Sequence, residues 1–221
     1  MELGLKGKHV FITGASGGIG LETARLFLKE GSNVTLHYAT KKDPLNDLLN
    51  EFPNNTFSVQ ASATDEASVS NSIRESVQKF GVIHVMIANH AIFPAVAATL
   101  KDMSVEQFKN TLDVNLVGIF LFVREWLRIL QDYVDTHKTN ELEGVNCVIV
   151  GSTSGLFGEA GHIDYSCSKS ALTYGFTKTM KNEIPNIIKN ARVNVVAPGW
   201  VLTAMAQRLN LSIHFYFKNC K

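Results

Sequence analysis

Tyr165, Lys169 and Ser152 are the residues of this sequence whose types and spacing could do chemistry together. Tyr165 and Lys169 lie four apart, so on a helix they share one face. A cation beside a phenol favours the phenolate and is expected to pull the tyrosine pKa below its reference of about 10. A tyrosine so tuned can exchange a proton with a carbonyl or alcohol oxygen near neutral pH. Ser152 can donate a second hydrogen bond to that oxygen and stabilise the charge developing on it. The tyrosine–lysine spacing alone is common on helix surfaces. It gains meaning from its place, where a predicted fifth strand ends and a helix begins, because ligands of open α/β sheets bind at that edge.

A second group falls on the same edge. Thr13-Gly14-Ala15-Ser16-Gly17-Gly18-Ile19-Gly20 joins the first predicted strand to the first helix. Glycines there allow a tight turn and let backbone N–H groups approach a pyrophosphate at the positive end of the helix. The spacing is G-x-x-x-G-x-G, from Gly14 through Gly18 to Gly20, and not G-x-G-x-x-G. An acid at the end of the second strand would bond a ribose 2′-hydroxyl and repel a 2′-phosphate. The segment Val34-Thr35-Leu36-His37-Tyr38-Ala39-Thr40 carries none, and Lys41 and Lys42 follow it. Asp43 is the nearest carboxylate and is expected to cap the next helix. Two lysines before a helix N-terminus oppose its dipole, which makes a phosphate partner more attractive. NADP(H) is therefore favoured over NAD(H), with Lys41 or Lys42 reading the phosphate.

These groups need a scaffold, and the hydrophobic pattern supplies one. Strands are predicted at 10–13, 34–38, 56–59, 83–87, 145–150 and 192–196, with helices over 18–30, from Asp43-Pro44 onward, over 66–80, 106–137 and 163–189. Strands alternating with helices imply parallel βαβ units with right-handed crossovers, hence an α/β, Rossmann-like, doubly wound parallel sheet of six recognisable strands. In the helix at 106–137, Leu116, Phe120, Val123, Leu127, Leu130 and Val134 form one apolar stripe. Ile119, Phe122, Trp126, Ile129 and Tyr133 form another beside it. One stripe would cover a sheet. The second stripe fits either deeper burial or packing against another subunit, so a homo-oligomer through the helices at 106–137 and 163–189 is expected.

Composition narrows the class. The 221 residues suit one domain, 45% being apolar and 19% charged. A net charge of +1, from 21 basic and 20 acidic residues, makes no electrostatic case for nucleic acid or an anionic membrane as partner. No signal peptide, transit peptide or membrane-spanning run is apparent. Cys147, Cys167 and Cys220 are widely spaced and odd in number, which fits reduced thiols and a cytoplasmic protein. The scattered histidines suggest no metal site.

Taken together the motifs resemble the single-domain short-chain dehydrogenase/reductase family. They are the turn Thr13-Gly14-x-x-x-Gly18-x-Gly20, Asn115 within Asp113-Val114-Asn115, Ser152 thirteen before Tyr165, Tyr165-x-x-x-Lys169, and Pro198-Gly199-x-Val201-x-Thr203. Their order spans nearly the whole chain. The resemblance implies an NAD(P)-dependent enzyme acting on a small carbonyl or alcohol. Tyr165 would be general acid in reduction and base in oxidation. Lys169 would lower its pKa and hold the nicotinamide ribose, Ser152 would orient the substrate oxygen, and Asn115 would anchor a water relaying protons from Lys169. Gly14, Ser16, Gly18, Ile19, Gly20, Ala63 and Asn89 would line the cofactor. Val201 and Thr203 would cradle the carboxamide and a phosphate, and the end of the second strand, with a tyrosine (Tyr38), a small polar residue and no acid, resembles the NADP(H)-using members.

Three departures from the family pattern stand out. Ala88-Asn89-His90-Ala91 replaces N-N-A-G, so the cofactor is expected to sit less snugly against His90 and Ala91. Ser62 stands where an Asp usually meets the adenine. After Thr203 the tail at 204–221 does not resemble the usual lid and seventh strand, as if the chain were truncated or atypical. The domain is accordingly read as 1–203, and an impaired nucleotide-binding homologue without turnover is the alternative function. A sugar-nucleotide epimerase fits less well. Phe93, Ser154, Phe157, His162 and Trp200 are candidate walls of the substrate site.

Overall fold

The computed structural model describes residues 3–203. Six strands, β1 (His9–Ile12), β2 (Asn33–Tyr38), β3 (Thr56–Gln60), β4 (Val85–Ala88), β5 (Asn146–Val150) and β6 (Arg192–Val196), form one sheet in the order β3-β2-β1-β4-β5-β6. Every pairing is parallel. The order reverses between β1 and β4, which opens a crevice at the carboxyl ends of those strands. The tail at 204–221 lies outside the described residues.

Helices α1 (Gly18–Lys29) and α2 (Asn46–Glu51) lead to β2 and β3 respectively, and α3 (Glu66–Phe80) leads to β4. Alternate strand residues serve opposite faces. Val10, Ile12, Val34, Leu36, Val85 and Ile87 pack with Ala24 and Leu28 of α1 and with Leu45 and Leu48. Phe11, Met86, Cys147 and Ile149 pack on the other face with α3 and the long helices that follow. Asp43 is not the cap expected of it. It is the first residue of a short 3-10 turn, Asp43–Leu45, preceded by Lys42 and without a side-chain cap bond. Asp65 and Ser104 do cap α3 and the helix that begins at Val105, accepting the Ser68 and Gln107 N–H groups at 3.1 Å each.

The helix expected at 106–137 is continuous but not uniform. α4 (Val105–Leu112) passes through a π turn, Asp113–Val117, into α5 (Gly118–His137). Likewise α6 (Ser154–Phe157) is followed by α7 (Ile163–Ala171), a π turn at Leu172–Phe176 and α8 (Thr177–Glu183). Of the second stripe of α5, Ile119, Phe122 and Trp126 are wholly buried in this chain's own core, while Ile129 and Tyr133 are half-buried. The indole N–H of Trp126 donates to Ile83 O at 2.9 Å. Phe120, assigned by periodicity to the sheet-covering stripe, is instead 42% exposed, as is Val117 in the π turn before it. The face that α5 buries is centred on Ile119, Phe122 and Trp126, and Phe120 lies at the far edge of the stripe beside it. Among the described residues no helix is long and apolar enough to cross a membrane.

Candidate active site

Lys169 on α7 is 2% exposed and donates from Nζ to Val150 O, at the end of β5, at 2.7 Å. Loss of water lowers its pKa to about 8. One turn earlier, Tyr165 hydrogen-bonds the Ser152 hydroxyl, while Ser152 Oγ also accepts the Ser154 N–H at 3.1 Å. The three residues thus meet where β5 ends. Their electrostatics differ from the expectation that Lys169 pulls the phenol down. Burial holds the Tyr165 pKa above its ordinary value, the Ser152 bond pulls it down, and the charge of Glu159 pushes it up again. Lys169 Nζ lies 5.7 Å from the centre of the Tyr165 ring, and its bond to Val150 directs it toward the strand.

Asn115 is fully buried in the first π turn, where the Gly118 N–H reaches back to Asp113 O. Its Oδ1 accepts the Ile92 N–H at 2.7 Å, and its Nδ2 donates to Ile92 O at 2.9 Å and to Ser168 Oγ at 3.3 Å. It therefore ties the loop after β4 to α7, one residue before Lys169. Asp164, which sequence reasoning passed over, does comparable work from the other side. It is fully buried, takes the Tyr165 N–H at 2.8 Å, and accepts from Thr111 Oγ1 at 2.8 Å and Gln107 Nε2 at 3.2 Å. The signal for it was its position beside Tyr165 at the start of a helix, where a carboxylate can bond a first-turn N–H.

The glycine turn lies on the same edge, two strands away. No side chain caps α1 and no acid lies in its first turn, so its first N–H groups and positive end can receive a phosphate. The chain's own residues therefore fit a dinucleotide. Gly14 has φ +64°, a conformation that favours glycine. A β-carbon on Gly20 would run into Gly14 O and Asn89 Nδ2. One on Gly18 would meet Thr203 Cγ2 at 2.7 Å, so Thr203 sits directly against the turn. Asn89 Nδ2 donates to Thr13 O at 2.9 Å and to Gly14 O at 3.1 Å, fixing the turn from the β4 side. Ser16 and Ile19 are part-exposed at the start of α1, Ala63 is buried after β3, and Tyr38 is half-buried at the end of β2. Lys41 and Lys42 are exposed beyond it, and Val201 is 43% exposed. Ser62 is exposed, with its hydroxyl 3.1 Å from Thr64 Oγ1.

The bulk of His90 goes inward rather than toward a cofactor. It is 8% exposed, its ring lies 5.4 Å from Phe122, and Gly118 leaves room for it. Ala91 replaces a glycine without strain, since Lys138 and Asn190 are the non-glycine residues with positive φ among those described.

Beside Tyr165 the Phe93 ring centre lies 4.1 Å from His162, 4.7 Å from Tyr165 and 6.2 Å from Trp200, joining three of the expected wall residues to the tyrosine. Ser154 Oγ donates to Glu159 Oε2 at 3.3 Å. Phe157 and Glu159 line an open groove of about 440 Å³ with Leu100, Ile163 and Ser166.

A parallel sheet with a switch point, a glycine turn and a tyrosine–lysine–serine group on one edge defines a dinucleotide-type α/β protein. The family model described as short chain dehydrogenase matches residues 8–213, and the chain belongs to that family of oxidoreductases. Over 208 residues it is 31% identical to a 3-oxoacyl-[acyl-carrier-protein] reductase of Thermotoga maritima, covering 93% of this chain and 78% of that protein. It is 32% identical over 205 residues to momilactone A synthase of Oryza sativa subsp. japonica, covering 92% and 70%. A 3-ketoacyl-(acyl-carrier-protein) reductase from Brucella melitensis, solved with NADH, superposes with a TM-score of 0.81 at 22% identity, over 92% of this chain and 80% of that one. A dehydrogenase/reductase from Sinorhizobium meliloti 1021 does so at 0.78 with 27% identity, over 90% and 75%.

Proposed function

We propose that this chain is an NADP(H)-dependent oxidoreductase that interconverts a carbonyl and an alcohol, with Tyr165 as proton donor and acceptor. The observation that carries the reading is the Tyr165–Ser152 hydroxyl pair beside a buried Lys169, on the same sheet edge as an uncapped helix after a glycine turn. The bound nicotinamide supplies the hydride in reduction and takes it in oxidation. Ser152 holds the substrate oxygen, and Tyr165, kept protonated by its raised pKa, delivers a proton to that oxygen as charge builds on it. Lys169 holds the ribose and restores the tyrosine proton, and Asn115 keeps the relay aligned through Ile92 and Ser168. Gly14, Ser16, Gly18, Ile19, Gly20, Ala63, Asn89, Val201 and Thr203 form the cofactor cleft. The preference for NADP(H) rests on exposed Lys41 and Lys42 and on the lack of an acid at the end of β2.

The reductase names of several relatives favour a carbonyl substrate. The apolar surface of Val117, Phe120 and Tyr174 supports a homo-oligomer through the helices at 106–137 and 163–189. Free Cys147 and Cys167 fit a reducing cytoplasm. Fluorescence titration with NADPH and NADH, followed by a panel of ketones, tests the proposal. NADPH-preferring binding with turnover supports it. Binding without turnover on any carbonyl would favour the nucleotide-binding homologue, and no binding would reject both.

A further inference from the structure

His37 stands on β2 beneath the glycine turn and is 1% exposed. Its Nε2 faces Ala61 O at 3.0 Å. A carbonyl only accepts, so Nε2 carries the ring proton and Nδ1 is bare. That bare nitrogen accepts the Gly14 N–H at 3.0 Å. The backbone oxygen of the same residue accepts the next amide, Ala15 N–H, at 2.7 Å. One residue thus fixes two successive amides at the point where Gly14 takes its positive φ, while Asn89 holds the Gly14 carbonyl.

The ring has little freedom to leave this position. Phe122 of α5 lies 4.7 Å away and Phe11 of β1 stacks at 6.4 Å, with an interplanar angle of 18°. His90, from the loop after β4, sits edge-on at 6.1 Å. His90 is the titratable group that faces it, and is itself held by its N–H on Thr13 Oγ1 at 3.0 Å and by Nε2 on Val114 O at 3.1 Å. Lys169 acts on His90. Burial lowers the His37 pKa to about 4, so the acceptor persists across the neutral range.

We infer that His37 is a positioning residue for the dinucleotide, its bare Nδ1 setting the Gly14 amide and with it the turn that receives the phosphates. This rests on the proposed reading of that turn as the NADP(H) site. Two variants separate positioning from mere filling of the core. His37→Asn keeps an acceptor near the Nδ1 position and loses the donor to Ala61; His37→Gln keeps the donor and loses the acceptor. His37→Gln should weaken NADPH binding about tenfold, the loss of one hydrogen bond, and His37→Asn far less, with kcat at saturating cofactor unchanged in both. Nitrogen-15 spectra of the wild-type chain should show a protonated Nε2 and an unprotonated Nδ1. Equal losses in the two variants, wild-type binding by His37→Gln, or a protonated Nδ1 would each overturn the assignment alone. Absence of dinucleotide binding by the wild-type chain would overturn the proposed function and this assignment with it.

Discussion

Acid should unfold this protein before most of its carboxylates titrate, because three core histidines must stay neutral. His9, His37 and His90 are nearly or wholly buried, and burial lowers their pKa values from 6.5 to about 4, about 4 and about 3. Each has a reason in its contacts. Protonating His37 Nδ1 would set it against the Gly14 N–H, and protonating His9 Nε2 would demand that Thr35 Oγ1 cease to donate. His90 Nδ1 is buried with no partner to receive a proton's charge. The folded state therefore binds fewer protons than the unfolded chain between the two sets of values. Stability is complete above the unfolded pKa of 6.5 and is lost as pH falls toward 4. At about pH 5 each ring costs about 2 kcal/mol and the three about 6 kcal/mol, against a typical total of about 5–15 kcal/mol. Three protons give a slope approaching about 4 kcal/mol per pH unit. Urea unfolding followed by circular dichroism between neutral pH and about pH 5 measures it. His37→Asn should reduce the slope by about a third. A stability within about 1 kcal/mol across that range, or an unchanged slope in the variant, would refute the reasoning.

Other consequences concern the site. Asp164→Ala leaves the buried Thr111 hydroxyl and the Tyr165 N–H without their acceptor, and should cost about 3 kcal/mol in denaturant midpoint measurements while lowering turnover. Lys41→Glu should weaken NADPH about tenfold in titration and leave NADH unaffected. Because Tyr165 is held protonated, carbonyl reduction should stay level through neutral pH while alcohol oxidation, which needs the phenolate, rises with pH. Glu159→Gln removes a charge that raises the tyrosine pKa and should move the oxidation limb to lower pH; an unmoved limb would count against that electrostatic account.

Much of this was legible because strands and the reactive residues obey short-range rules. A step of four from Tyr165 to Lys169 puts both on one helix face, and a glycine cluster between a strand and a helix can be read without knowing what lies behind it. β6 matches its expected bounds, and β4 starts two residues later than its apolar run. The π turns were not legible. Each adds a residue to a helix whose apolar spacing continues across it, and with two adjacent apolar stripes the pattern alone does not say which one the core takes or that Phe120 is exposed. His37 was hidden for another reason. A histidine in an apolar strand looks like filler until the turn, the carbonyl and the aromatic rings around it are known. Asp43 was misread because an Asp-Pro pair opens a 3-10 turn as readily as it caps a helix.

The central claim is that Tyr165 passes the proton, and the direct test is ketone reduction followed by NADPH absorbance in the wild-type chain and in Tyr165→Phe. The account predicts that the variant binds NADPH as tightly as wild type and loses turnover by about a hundredfold to ten-thousandfold. Retained turnover in the variant would contradict it.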